Sequence, residues 1–324
     1  MAIAPTFDIQ LTEADLREQL RTDVLWGLSS RRKWLPSKWF YDARGSKLFD
    51  LITGLPEYYP ARTERALLHG CADEIARQAS GATELVELGS GSPEKTRLLL
   101  NALSAHGSLC SYVPQDVSES ALRAAADWAS DEFPYLSIHG IVSDFTTMLR
   151  ALPHGGRRLV ALLGGTLGNL APFDRTAFLG ELHRVLTPGE QVLVGVGLVT
   201  DPAVMIPAYD DAAGVTAEFN RNVLHVLNDR LGADFDPLGF EHFAVWDPDL
   251  EWVEMRLAAT KPMRVTVPDL DLVADFAAGE QIRTEISAKF RLPALRNELA
   301  AAGFRTRRAW ADPDHRFALV LADR

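Results

Sequence analysis

A chain of 324 residues with 47% hydrophobic content can bury a sizeable core, as one large domain or two of ordinary size. A formal charge of -11, with no basic run longer than Arg31-Arg32-Lys33, argues against a nucleic-acid substrate, because phosphate binding draws on clustered Lys and Arg. The two cysteines show no metal-type spacing and the eight histidines form no H-x-H or H-x-x-x-H pair, so no metal is expected.

The start, MAIAPTFDIQ, lacks the charged and apolar regions of a leader, and no run has the length of a membrane span. A cytoplasmic protein without a membrane partner is expected. A helix is predicted over 11–27. The segment KWFYDARGSKLFDLITGLPEYYP that follows is rich in aromatics for a stretch with one short helical pattern. Tyr41, Phe49 and Tyr58 there are candidate pocket residues, although any one alone reads equally well as core. From Arg62 the pattern turns regular, with a helix to Ala79 and a strand over 83–88.

That strand opens ELVELGSGSPEKT, in which a short apolar run ending in an acid drops into a glycine-bearing turn before a helix. Gly89 and Gly91 remove side chains where the backbone turns and nears a ligand, and Ser92-Pro93 starts the helix. A dinucleotide fingerprint would need a third glycine where Glu94 stands, which favours a cofactor without pyrophosphate, such as S-adenosylmethionine. A nicotinamide-dependent dehydrogenase would want that glycine. Further on, SYVPQDVS places Asp116 at the end of a second strand, where an acid can accept from both ribose hydroxyls. LSIHGIVSDF ends a third strand in Asp144-Phe145, an acid and an aromatic suited to the amine and face of adenine. Each acid alone reads as a helix N-cap, Asp116 above all. Three such strand ends in succession favour the cofactor.

RRLVALLGG supplies a fourth strand, PFDRTAFLGELHRVL a helix and EQVLVGVGLV a fifth strand, all apolar enough for parallel strands covered on both faces. Between them GGTLGNLAP offers Asn169, a donor and an acceptor at the place where doubly wound sheets bring substrate to cofactor. Its rival role is a helix cap or turn. After Val199 the alternation breaks. Helical patterns run over 202–209, which includes Tyr209, and from Ala212 to Leu231. EWVEMRLAA and MRVTV then read as antiparallel strands, with Trp252, Glu254 and Arg256 on the uncovered face. In TEISAKF, Glu285 and Ser287 share one side of a strand, which would suit a ring with one N–H and one acceptor nitrogen. On pattern alone, an edge strand with its polar side in water is the simpler reading. A helix over 293–301 and the strands FRTRRAW and RFALVLA close the chain.

The pattern predicts an α/β fold of two domains. Residues 63–199 and 290–324 form a doubly wound cofactor domain of methyltransferase type, and 1–62 with 200–289 form an inserted α+β substrate domain. The active site is expected in the cleft between them. No long heptad pattern demands association, so a monomer is expected.

KWFYDARGSKLFDLIT, LPEYYPARTE, LVELGSGSPEKTR, the acids in PQDV and VSDF, GGTLGNL, AYDDAAGVTAEFNRNVL and FAAGEQIRTEISAKF together resemble the S-adenosylmethionine-dependent histidine-specific methyltransferases over nearly the whole chain. The resemblance implies a class I (Rossmann-like) methyltransferase sheet with a second, inserted substrate-binding domain. It implies three successive methylations of the α-amine of L-histidine, through the mono- and dimethylated forms, to hercynine, the first step of ergothioneine biosynthesis. Carried over, the cofactor residues are Gly89, Lys95, Asp116, Asp144 and Phe145. Tyr58, Asn169 and Tyr209 would hold the amino-acid head group, and Glu285 with Ser287 would read the imidazole. Tyr41 would lie near the methylated amine, and Phe49 would form an aromatic wall. The alternatives are a family member acting on another amino acid, where the imidazole-reading acid would differ, and a noncatalytic sensor of S-adenosylmethionine.

Overall fold

The computed structural model describes residues 4–91, 93–153 and 155–324. Ser92, expected to open the helix after the glycine loop, lies outside the described residues.

The chain begins with β1 (Thr6–Ile9), α1 (Glu13–Ser29), β2 (Lys33–Trp34), α2 (Ala43–Thr53) and α3 (Tyr59–Gln78). Alternation follows, through β3 (Glu84–Leu88), α4 (Pro93–Ala105), β4 (Ser111–Asp116), α5 (Glu119–Glu132), β5 (Ser137–Val142), β6 (Arg158–Leu162), α6 (Pro172–Val185) and β7 (Gln191–Gly197). Next come α7 (Pro202–Met205), α8 (Val215–Leu231), β8 (Phe240–Asp247), β9 (Trp252–Ala259), β10 (Met263–Val267), β11 (Leu272–Phe276) and β12 (Gln281–Ala288). The chain ends with α9 (Leu292–Ala301), β13 (Arg305–Ala311) and β14 (Phe317–Asp323). It divides into two compact units, one made of the segment up to Leu11, Pro60–Val199 and Phe290–Arg324, the other of Thr12–Tyr59 and Thr200–Lys289.

The first unit carries a sheet of order β1-β5-β4-β3-β6-β7-β14-β13. From β1 to β7 all neighbours are parallel, and the hairpin of β13 and β14 adds antiparallel to β7. Every residue of β3, β6 and β7 is buried, as their largely apolar runs require of strands covered on both faces. From β3 the chain builds outward through β4 and β5, then returns to lay β6 on the other side of β3. The carboxyl ends of β3 and β6 therefore flank a topological switch point, where open α/β sheets bind ligands.

The segment ending at Leu11, expected in the second domain, instead belongs with this unit. β1 pairs in parallel with β5, and the amides of Gln10 and Leu11 both donate to the Val142 carbonyl. A four-residue strand has no period long enough to read; the unpaired edge of β5 recruits it.

In the second unit the sheet has the order β2-β12-β9-β8, and β10 with β11 forms a separate two-stranded ribbon. Its core joins Leu20, Val24 and Leu28 of α1 with Phe219, Val223 and Leu227 of α8 and Met255, Leu257 and Ile282 of the sheet. EWVEMRLAA and MRVTV are both antiparallel strands, as expected, but they lie in different sheets. At the end of β9 the amides of Ala259 and Thr260 donate to Glu280 and Gly239, so the chain leaves without a hairpin and β10 pairs with β11. Nor is the second face of β9 bare: Glu254 accepts from Trp252 Nε1 at 3.0 Å and Arg256 Nε at 2.7 Å, and these side chains cover one another. The helix expected from Ala212 begins at Val215. Gly214 precedes it at φ 76°, and the Asp211 carboxylate accepts from the amides of Val215 and Thr216. β2 pairs only with Ile282 and Arg283, but the polar side of TEISAKF that follows is not left in water. This segment pairs with β9 through Ala288, and Ser287 and Lys289 are only 7% and 6% exposed.

Candidate active site

In the first unit the candidate residues sit at the carboxyl ends of neighbouring parallel strands. Gly89 follows β3 at φ 76°, a conformation that favours glycine, whereas Gly91 lacks a positive φ. A Cβ on Gly89 would lie 3.7 Å from Phe145 Cε1, so the loop and the aromatic after β5 form one wall. Phe145 is braced edge-on by Phe178, with centroids 5.9 Å apart. Asp144 lies in the turn after β5 and accepts from the Thr146 amide at 2.9 Å.

Asp116 ends β4. It is not the cap of α5: that is Ser118, whose hydroxyl accepts from Ala121 N, while Asp116 Oδ1 accepts from Ser118 N at 2.8 Å. Burial pushes the Asp116 carboxyl up to about 6, against the pull of the Ser118 and Val117 amides. Asn169 closes the short turn after β6 and is half-buried. Its rival role as a helix cap fails, because Ala171 stands at the start of α6 with no side-chain cap.

Lys95 donates to Glu64 Oε2 at 2.6 Å, and the same fully buried carboxylate accepts from the Gly164 amide at 2.8 and 3.0 Å. Sequence reading missed Glu64. Room for it exists because Gly195 of β7 has no side chain: a Cβ there would stand 2.2 Å from Glu64 Oε1. It also missed the buried network under the loop, in which Glu87 accepts from Thr96 Oγ1 at 2.7 Å and from Tyr112 OH at 2.6 Å. That network ties the first turn of α4 to β3 and β4.

In the second unit three separated segments converge. Tyr41 meets Phe49 edge-on at 5.6 Å, Phe49 meets Tyr58 at 6.1 Å, and Tyr58 meets Tyr209 at 6.2 Å. Phe219 of α8, not singled out in the sequence, packs on both Tyr41 and Phe49. The Tyr209 hydroxyl is 2.8 Å from Ser287 Oγ. Lys289 Nζ donates to both, at 2.7 Å to Tyr209 and 2.8 Å to Ser287. Lys289 escaped the sequence reading, although one further step of the same period-2 count from Glu285 and Ser287 reaches it.

Burial raises the Glu285 carboxyl from 4.5 to about 7, with the Lys289 ammonium pulling it back. Burial also lowers Lys289, which Tyr59 and Glu285 oppose, and raises the Tyr209 phenol. A raised carboxyl contributes stability that is complete below its unfolded value and lost as pH rises through its folded value. The window for Glu285 therefore runs from 4.5 to about 7. In the unliganded protein, Glu285→Gln is expected to gain thermal midpoint relative to wild type as pH rises across it. Melting both proteins at several pH values checks this; a constant difference contradicts it.

The chemical inventory is an acceptor carboxylate, two hydroxyls and an ammonium beside a run of aromatic rings in one unit, and acids at or just after strand ends in the other. No metal or covalent nucleophile is needed to move a methyl group to an amine, only an aligned neutral amine. The family described as "Histidine-specific methyltransferase, SAM-dependent" matches residues 20–324. A histidine N-alpha-methyltransferase of Mycolicibacterium smegmatis is 51% identical over 307 residues, covering 95% of each chain. One from Mycobacterium tuberculosis is 50% identical over 303 residues, 94% of each. Ergothioneine biosynthesis protein 1 of Neurospora crassa is 31% identical over 234 residues, 71% of this chain and 26% of that one. With the family matched over most of its length, the chain belongs to the S-adenosylmethionine-dependent histidine-specific methyltransferases.

Proposed function

We propose that the protein transfers three methyl groups in succession from S-adenosylmethionine to the α-amine of L-histidine, giving hercynine for ergothioneine biosynthesis. The names of its relatives support the substrate and the pathway. The observation that carries the reading is the convergence of Glu285, Ser287 and Tyr209 beside the aromatic series Tyr41, Phe49 and Tyr58.

The first unit fits the donor. The open face of Gly89 against Phe145 makes an apolar wall for adenine, and Asp116 offers a carboxylate for the ribose hydroxyls. When bound, S-adenosylmethionine supplies an electrophilic methyl on a sulfonium. Asp144 takes the adenine amine, and Lys95 and Gly89 complete the cofactor set.

Glu285 and Ser287 read the imidazole, and Tyr58, Asn169 and Tyr209 are assigned to the head group. Each methylation removes a donor from the amine, so hydrogen bonds weaken as a partner for it and aromatic faces gain. A desolvated quaternary ammonium over such a face gains about 2 kcal/mol or more, which gives Tyr41 its place at the amine and Phe49 its place as wall. A cytoplasmic monomer that needs no metal completes the reading.

Mass spectrometry of the protein incubated with S-adenosylmethionine and an equimolar mixture of the twenty amino acids tests it. Three added methyl groups on histidine alone are expected. Methylation of another amino acid overturns the pocket assignment, and no transfer at all favours the sensor.

A further inference from the structure

Glu285, Ser287 and Lys289 alternate along one side of β12 and its continuation, after an irregularity between Arg283 and Glu285 that leaves Thr284 turned to Asn220 and the Met255 carbonyl. The main chain at Lys289 is fixed, since its amide donates to the Glu251 carbonyl at 2.7 Å. Its ammonium, 6% exposed, lies 4.7 Å from the Tyr209 ring centroid and closes a triangle with the Tyr209 and Ser287 hydroxyls.

An ammonium donates and never accepts. Lys289 therefore occupies one lone pair on each hydroxyl oxygen, and the contact between the two oxygens uses one of their two protons. A single hydroxyl proton is left to point away from the triangle. If that proton is on Ser287, the serine oxygen already accepts twice, and it offers a ligand only a donor. Charge runs the same way. Lys289 and an ionised Glu285 balance; a ring that arrives as a cation adds an uncompensated charge among buried groups that include Tyr59 and Tyr209.

We propose that Lys289 is a positioning residue for ring recognition: with Tyr209 donating to Ser287, Lys289 fills the remaining acceptor site of the serine oxygen, so that the pocket presents to the ring one acceptor, Glu285, and one donor, the Ser287 hydroxyl. Such a pocket selects the neutral imidazole in a single tautomer and rejects both the imidazolium and rings lacking the acceptor nitrogen. The inference rests on the assignment of Glu285 and Ser287 to the imidazole and deepens it.

Two measurements test it. Ring-15N-labelled L-histidine, bound to the wild-type protein with S-adenosylhomocysteine present, is expected to show one protonated nitrogen and one unprotonated nitrogen that accepts a hydrogen bond. Two protonated nitrogens overturn the proposal. The second measurement compares kcat/KM for histidine with that for the two pyrrolylalanine isomers, each of which keeps one N–H and replaces the other nitrogen by C–H. Lys289→Met is expected to shrink the preference for histidine over the better isomer by about tenfold, through KM with kcat little changed. An unchanged preference overturns the role of Lys289. Should Lys289→Met melt too low to assay, Lys289→Gln is read by the same ratio, and the 15N spectrum of the wild type decides independently. Histidine use that survives Glu285→Ala defeats the underlying assignment; loss there with an unchanged ratio in the Lys289 variant defeats this inference alone.

Discussion

Replacing Glu285 with alanine is expected to lower kcat/KM for L-histidine roughly 100-fold or more while the affinity for S-adenosylmethionine stays within about twofold. The loss follows from burial. A ring N–H that enters the pocket leaves water and meets no acceptor once the carboxylate is gone, and a buried donor left unmade costs about 1–3 kcal/mol, more where a charge is involved. Removing Glu285 also leaves the buried Lys289 ammonium without one of the two groups that favour its charged form. The preference for histidine over phenylalanine should fall in parallel, since a pocket without the acid no longer penalises a ring without nitrogen. Steady-state kinetics with both amino acids, beside calorimetric titration of the cofactor, check these outcomes. Unchanged histidine use would remove Glu285 from the site.

Asp116→Ala is expected to raise the dissociation constant for S-adenosylmethionine by more than about 100-fold, because a ribose held by two bonds to an ionised acceptor loses roughly 1.5–3 kcal/mol per bond. The same oxygen that accepts from Ser118 N shapes the turn into α5, so alanine also loosens the loop. Asp116→Asn separates the two effects. It keeps an oxygen for the Ser118 amide but presents a neutral group to the ribose, and an intermediate loss of affinity is expected. Isothermal titration with S-adenosylmethionine decides. Equal, full-sized losses in both variants would point to the charge, and normal affinity in either would take Asp116 off the ribose.

The parallel sheet of the first unit was legible because its signals are local. A parallel strand buried on both faces must be a short apolar run, and the turn that leaves it needs glycine or an acid at a fixed place; β3 with Gly89 and β4 with Asp116 carry this in a few consecutive residues. The strand after Pro134 was read two residues too long, ending at Asp144 where the ladder stops at Val142, because an acid in a following turn looks the same as one that ends a strand. In the inserted unit the period-2 pattern placed Glu285 and Ser287 together, but it said nothing of what faces them.

The sequence by itself determined the parallel α/β core, the glycine loop, the acids at or just after successive strands and the side of β12 that Glu285 and Ser287 share, since each depends on residues close together in the chain. Only the tertiary structure decided that Tyr209 meets Ser287 across 78 positions and Glu64 meets the Gly164 amide across 100, that Lys289 turns inward to join two hydroxyls, that β1 completes the edge of the large sheet, and that β10 abandons β9 for β11. These pairings are settled by which buried polar groups and strand edges still need partners once the cores have packed, and that need arises only when distant segments are brought together.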